Sequence, residues 1–252
     1  MMDNLKLLMG RSILFNKEHN LYVHQPLMRD IVDMGEDQFN DLLLPFTLTS
    51  EAVFNGQDNG DELASKYPVF DLFFSQVEEG VYILDSVFGG KSALGVLEAS
   101  LNYFLRTDNI QFLMHRKKII INELVVDQAE FMKLRSIIQG VANRKDMEFE
   151  KIPKNMTDRQ KDIWMKLQAG RKRRAEREAV YLQDLINYTC NGGTSYISYK
   201  EIDNMTYFQL ANTYKSIMGK DSFNVSMGYK LSYKYDVKDE IKHWSETLRI
   251  GK

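Results

Sequence analysis

A chain of 252 residues is long enough to bury one large core or two smaller ones. Its 33 Lys and Arg against 35 Asp and Glu leave a net charge of −2, so no global field draws it to nucleic acid or to an anionic membrane. One cysteine, Cys190, excludes an internal disulfide.

Cys190 stands between Thr189 and Asn191, which offer no charge to activate a thiolate, so an inert thiol in a reducing compartment is expected. Met1 to Gly10 has one Lys and a short apolar patch without a cleavage site, unlike a signal peptide. The longest apolar runs, such as Leu42 to Phe46, are far too short for a bilayer. The expected location is the cytoplasm of whichever cell makes the chain.

In chain order, Ser12 to Phe15 and Leu21 to His24 are β-prone runs around a polar turn, a hairpin spanning 11–24. Pro26 suits the first position of a helix whose apolar stripe is Leu27, Ile31 and Met34. Gly35 interrupts it, and Phe39, Leu42 and Leu43 form a second stripe before Pro45. Asn55 to Asp61 is the clearest loop, and Glu62 to Gln76 and Ser92 to Arg106 read as helices. Gly80 to Phe88 is ambiguous between strand and helix. A second hairpin, 110–121, joins Ile110–Met114 to Ile119–Ile121 through a basic turn.

Asp127 then sits at an N-cap with Glu130 three residues on, and Val126 and Phe131 are placed for a hydrophobic staple. Phe131, Leu134, Ile138 and Val141 make this the best-signalled helix of the chain. The units 11–44 and 110–142 share a ββα order but little identity, so an internal repeat is not favoured. Thr157 and Gln160 make another capping box, opening a helix expected from Asp158 to about Thr189, closed by Gly192-Gly193. Capping boxes recur at Ser198/Glu201 and Thr206/Gln209, before helices expected at Tyr207–Met218 and Val237–Leu248. The sum is an α+β, predominantly helical chain of two lobes. The first, 1–150, carries both hairpins, and the second, 155–252, is mostly helical and rich in tyrosine.

Motifs for chemistry fail on inspection. Gly89-Gly90-Lys91-Ser92 ends like a P-loop, but Asp85 occupies the position of the first glycine, where a carboxylate repels phosphate. The histidines at 19, 24, 115 and 243 lack zinc-site spacing, and the acidic loop at 58–62 lacks the spaced ligands of an EF-hand. No catalytic residue, cofactor or metal is therefore expected. Arg171-Lys172-Arg173-Arg174 with Arg177 is interleaved with Glu176 and Glu178, which favours a solvated helix face over a nucleic-acid site. Nine of the 13 tyrosines fall between Tyr181 and Tyr235. Tyrosine buries a ring while its hydroxyl stays wet, so this lobe is the expected interface, with Tyr207, Phe208, Tyr214, His243 and Trp244 as candidate partner contacts.

The order of hairpin, Pro26-Leu-Met-Arg-Asp-Ile31 and Met34-Gly-Glu-Asp-Gln-Phe39 resembles small morphogenesis proteins of tailed phages that infect Gram-positive bacteria. So do Asn122-Glu123, the pattern Asp127 to Arg135, the run Asn204 to Leu210 and the late Lys242-His243-Trp244. The similarity is to tail assembly chaperones. It implies a non-enzymatic assembly factor that holds the tape-measure or another tail protein, with homo-oligomers as a further option. A minor virion protein of the tail or baseplate is the first alternative. A nucleic-acid-binding regulator using helix 171–177 is the second.

Overall fold

The computed structural model describes residues 3–153, 156–193, 196–232, 234 and 240–247. It is an α+β structure, mainly helical, with three small antiparallel sheets. A short α1 (Asn4–Leu8) leads into the hairpin β1 (Ile13–Asn16) and β2 (Leu21–Val23), followed by α2 (Met28–Met34) and α3 (Glu36–Thr47). Gly35, at φ 89°, joins these two helices in a conformation that only glycine adopts without strain. Pro45 lies inside α3 rather than ending it, one turn from the helix terminus.

The expected helix at 62–76 is two short ones, α5 (Gly60–Lys66) and α6 (Val69–Leu72), after a single turn α4 (Ser50–Val53). Pro68 is the reason, because it supplies no N–H and restricts Tyr67 to extended backbone, here φ −118° and ψ 95°. The ambiguous stretch resolves into a small hairpin, β3 (Gln76–Glu78) and β4 (Val81–Tyr82), and a 3-10 turn at Ile83–Ser86. Ser92 caps α7 (Ala93–Leu105), its hydroxyl accepting from the Gly95 N–H. Asp85 accepts from the backbone N–H of Tyr82 at 3.0 Å and of Ala93 at 2.8 Å. The residue that spoils the P-loop pattern thus ties the 3-10 turn to the start of α7.

The second hairpin gains a strand. β5 (Ile110–Leu113), β6 (Lys118–Ile121) and β7 (Leu124–Val126) form a meander, with Ile110 opposite Ile121 and Ile121 opposite Leu124. Asn122, at φ 56°, supplies the left-handed turn between β6 and β7. Alternation sends Ile119, Ile121, Leu124 and Val126 to the core.

The core centres on α8 (Gln128–Val141). Its Asp127 cap accepts from the Glu130 N–H at 3.0 Å, and its four stripe residues are wholly buried. The Phe131 ring lies 5.0 Å from Phe70 and 6.0 Å from Phe46. Arg135, 5% exposed, donates from Nε to the Phe46 carbonyl and from Nη2 to the Leu48 carbonyl, both at 2.8 Å, and pairs with Asp146 at 2.7 Å. A buried cation here satisfies carbonyls that the end of α3 leaves without helical partners.

Beyond it, the expected helix 158–189 is α9 (Asp158–Glu178) and α10 (Leu182–Asn191), parted at Ala179–Tyr181. Leu182 is drawn to the core, where its N–H donates to Glu36 at 3.1 Å. After α11 (Tyr199–Asp203), α12 runs from Tyr207 to Leu231, well past the Met218 expected from sequence. Of the helix expected at Val237–Leu248, residues 237–239 and 248 lie outside the described residues, and the described piece is α13 (Trp244–Thr247). Tyr233 and Tyr235 also lie outside them. Among the described residues no helix is long and apolar enough to cross a membrane.

Candidate binding groove on the last long helix

The first turn of α12 is stitched to the body. Thr206 and Gln209 form the capping box expected from sequence, and Gln209 Nε2 also donates to the Leu8 carbonyl at 2.8 Å. The Tyr207 N–H donates to the Pro26 carbonyl at 2.8 Å, while the Met28 N–H donates to the Met205 carbonyl at 2.9 Å. Two helix N-termini therefore exchange bonds across an antiparallel bridge between Leu27 and Thr206. Pro26 consequently lies two residues ahead of α2, before the extended N-cap Leu27, and not at its first position.

This stitching corrects two of the candidate contacts. Tyr207 and Phe208 are buried, and the Tyr207 ring packs 5.3 Å from Phe39 beneath the Arg144 guanidinium. Burial raises the Tyr207 hydroxyl above its ordinary pKa. Both are core residues in this fold, because the backbone bonds at Pro26 and Met205 pull the first turn of α12 inward.

Further along, α12 leaves the body and becomes half-buried. From Asn212 to Asp221 it lines a groove of about 300 Å³ with Gly193, Ile197 and Trp244. Ile197, Ile217 and Trp244 are its large apolar lining residues, and Thr213, Ser216, Lys220 and Asp221 lie on the same face of α12 as Ile217. Tyr188 of α10 donates from its hydroxyl to Asp221 at 2.5 Å, and its ring meets Tyr214 edge-on at 5.5 Å. The hydrogen bond to Asp221 raises the Tyr188 hydroxyl above its usual range. His243 packs its ring 4.9 Å from Phe223 and 5.5 Å from Trp244. Of the five residues picked from sequence, Tyr214, His243 and Trp244 thus gather along α12, away from the two that are buried.

Several groove residues escaped the sequence reading. Ile197 and Asp221 carry no motif, whereas Ile217 falls within the helix expected at Tyr207–Met218. Asp221 lies beyond the expected helix end at Met218. Cys190 is buried beside this region, where burial raises its thiol above the ordinary value. A wider cleft of about 400 Å³ lies between the loop at 54–61 and Phe149, Lys151, Ile152, Pro153 and Met156. Its charges face one another: Lys151 pairs with Asp61 at 3.1 Å, and Asn55 bonds the backbone at Glu150 and Ile152. That cleft is a seam holding a loop to the chain that leads into α9.

His24 shares a hydrogen bond with Ser12 at 2.9 Å, and burial followed by the nearby Arg106 charge lowers its pKa. Among the described residues no three His, Cys, Asp or Glu side chains are grouped to hold a metal.

No curated protein and no solved structure matches this chain. One family model does match, that of the YomV second domain, over residues 172–249. The matched span takes in the end of α9, the groove and all five candidate residues. The family is associated with Bacillus phages, and the match supports reading the chain as a phage protein.

Proposed function

We propose that this chain is a non-enzymatic assembly factor of a tailed phage, which holds an amphipathic helix of a tail protein in the groove along α12. The observation that carries the reading is the groove itself. It is lined by apolar Ile197, Ile217 and Trp244 together with one basic residue, Lys220, and one acidic residue, Asp221, on the part of α12 that the core leaves half-exposed. An amphipathic helix fits such a surface, its apolar anchors in the groove and its flanking charges near Lys220 and Asp221. The resemblance to tail assembly chaperones makes the tape-measure protein the partner to test first. The division into lobes at 1–150 and 155–252 is part of the same proposal, with the docking function in the second.

Trp244→Ala is the direct test. Losing an interface tryptophan costs about 2 kcal/mol or more of binding, or roughly a 30-fold weaker complex. We expect that loss in a pull-down of co-expressed tape-measure protein, with the melting temperature nearly unchanged. A destabilised variant that still captures its partner refutes docking at Trp244.

A further inference from the structure

Helix α9, described along its whole length, buries none of its 21 side chains. It holds eight basic and four acidic residues, a local +4 in a chain of net −2. Lys161 pairs with Asp158 at 3.9 Å, Lys172 stands exposed by itself, and the remaining basic residues fall on two faces. On one, Arg174 pairs with Glu178 at 2.9 Å, and Arg171 pairs with Glu150 and lies over the Trp164 ring. On the other, Arg159, Lys166, Arg173 and Arg177 are all exposed, and none makes an ion pair with any described residue.

At 3.6 residues per turn these four fall within an arc of about 40°, and they reach about 27 Å along the axis in steps of about 10, 10 and 6 Å. Asp162 and Glu176 border the row on one side without pairing to it. The only aromatic residue of the helix, Trp164, lies about 140° away from Arg159. A protein interface has the opposite character, depleted of charge at its centre and enriched in aromatic rings. A straight row of long cationic side chains on an unpacked helix suits a continuous line of phosphates.

We propose that this face of α9 binds the backbone of nucleic acid without reading its sequence. It is separate from the groove on α12 and does not depend on what that groove holds. Four phosphate contacts imply a log–log salt dependence of about −3.6 on duplex DNA, so affinity falls about 10²-fold between 50 and 200 mM NaCl.

The experiment is fluorescence anisotropy of the full chain with labelled duplex and single-stranded DNA of mixed sequence. The variant Arg159→Gln, Lys166→Gln, Arg173→Gln, Arg177→Gln keeps good helix formers throughout and is expected to lose binding. Arg171→Gln with Arg174→Gln, on the paired face, is expected to keep both the affinity and the salt slope. Failure of the native chain to bind at 50 mM NaCl overturns the proposal, as does equal loss in the two variants. A concentration-dependent dimer that the fourfold variant abolishes, without DNA binding by the native chain, also overturns it and assigns the row to a second copy.

Discussion

Helices α8 and α9 both begin with a cap that is visible in sequence, yet they belong to the molecule in opposite ways. Asp127 opens 14 residues that bury Phe131, Leu134, Arg135, Ile138 and Val141, whereas Thr157 opens 21 that bury nothing. The difference lies between the caps and the next turns. In α8 the apolar residues recur at three and four, so one face has somewhere to go. In α9, Ile163, Met165 and Leu167 are scattered and remain half or more exposed. Its stability must come from strong helix formers, its capping box and local pairs such as Arg174–Glu178, which suffice only because the helix is long. A cap states where a helix starts, and periodicity states whether the fold needs it.

The widest separation between the two helices is expected from truncating their large apolar residues. Phe131→Ala removes the ring on which Phe46, Phe70 and Phe73 converge, and should cost about 3–5 kcal/mol in denaturant unfolding. Ile163→Ala in α9 should change global stability by less than about 0.5 kcal/mol. Equal effects at the two positions would mean that α9 is packed in solution.

Arg135→Met tests the polar part of α8. It leaves the Leu48 carbonyl without a donor, while Gln139 still serves Phe46 at 2.7 Å. Asp146 is 62% exposed and returns to water, so the loss should be about 1–3 kcal/mol and not the larger cost of a stranded buried charge. A neutral result would show that α3 ends acceptably without this side chain.

Removing the two caps gives the smallest and sharpest contrast. Asp127→Ala should cost about 1 kcal/mol and lower the melting temperature by about 2–4 °C. Thr157→Ala should remove a similar local energy from α9, but as faster amide exchange and lower helicity near Thr157, with the global melting point unmoved. A lowered melting point in the second variant would place α9 inside the cooperative unit.

The sequence by itself determined what depends on neighbours in the chain. Four capping boxes or caps, the hairpin strands, the helix at 128–141 and the stop at Gly192 follow from side chains within a few residues of the backbone groups they serve. The third strand β7 was not read from sequence, although Asn122-Glu123 before Leu124-Val125-Val126 is a local signal for it, since asparagine tolerates the left-handed turn that a tight hairpin needs. Pro68 was another local signal, and it divides what reads as one helix.

Only the tertiary structure decided which apolar faces the core would take. Tyr207 and Phe208 look like an exposed stripe until the Tyr207 N–H meets Pro26, a residue 181 positions away in sequence. Arg135 reads as a surface cation until the end of α3 presents it with carbonyls. Ile217 and Trp244 lie 27 positions apart in sequence, and the fold brings them with Ile197 to one groove. Such pairings depend on backbone groups left over at distant helix ends, and a left-over hydrogen-bond partner has no signature in the order of side chains.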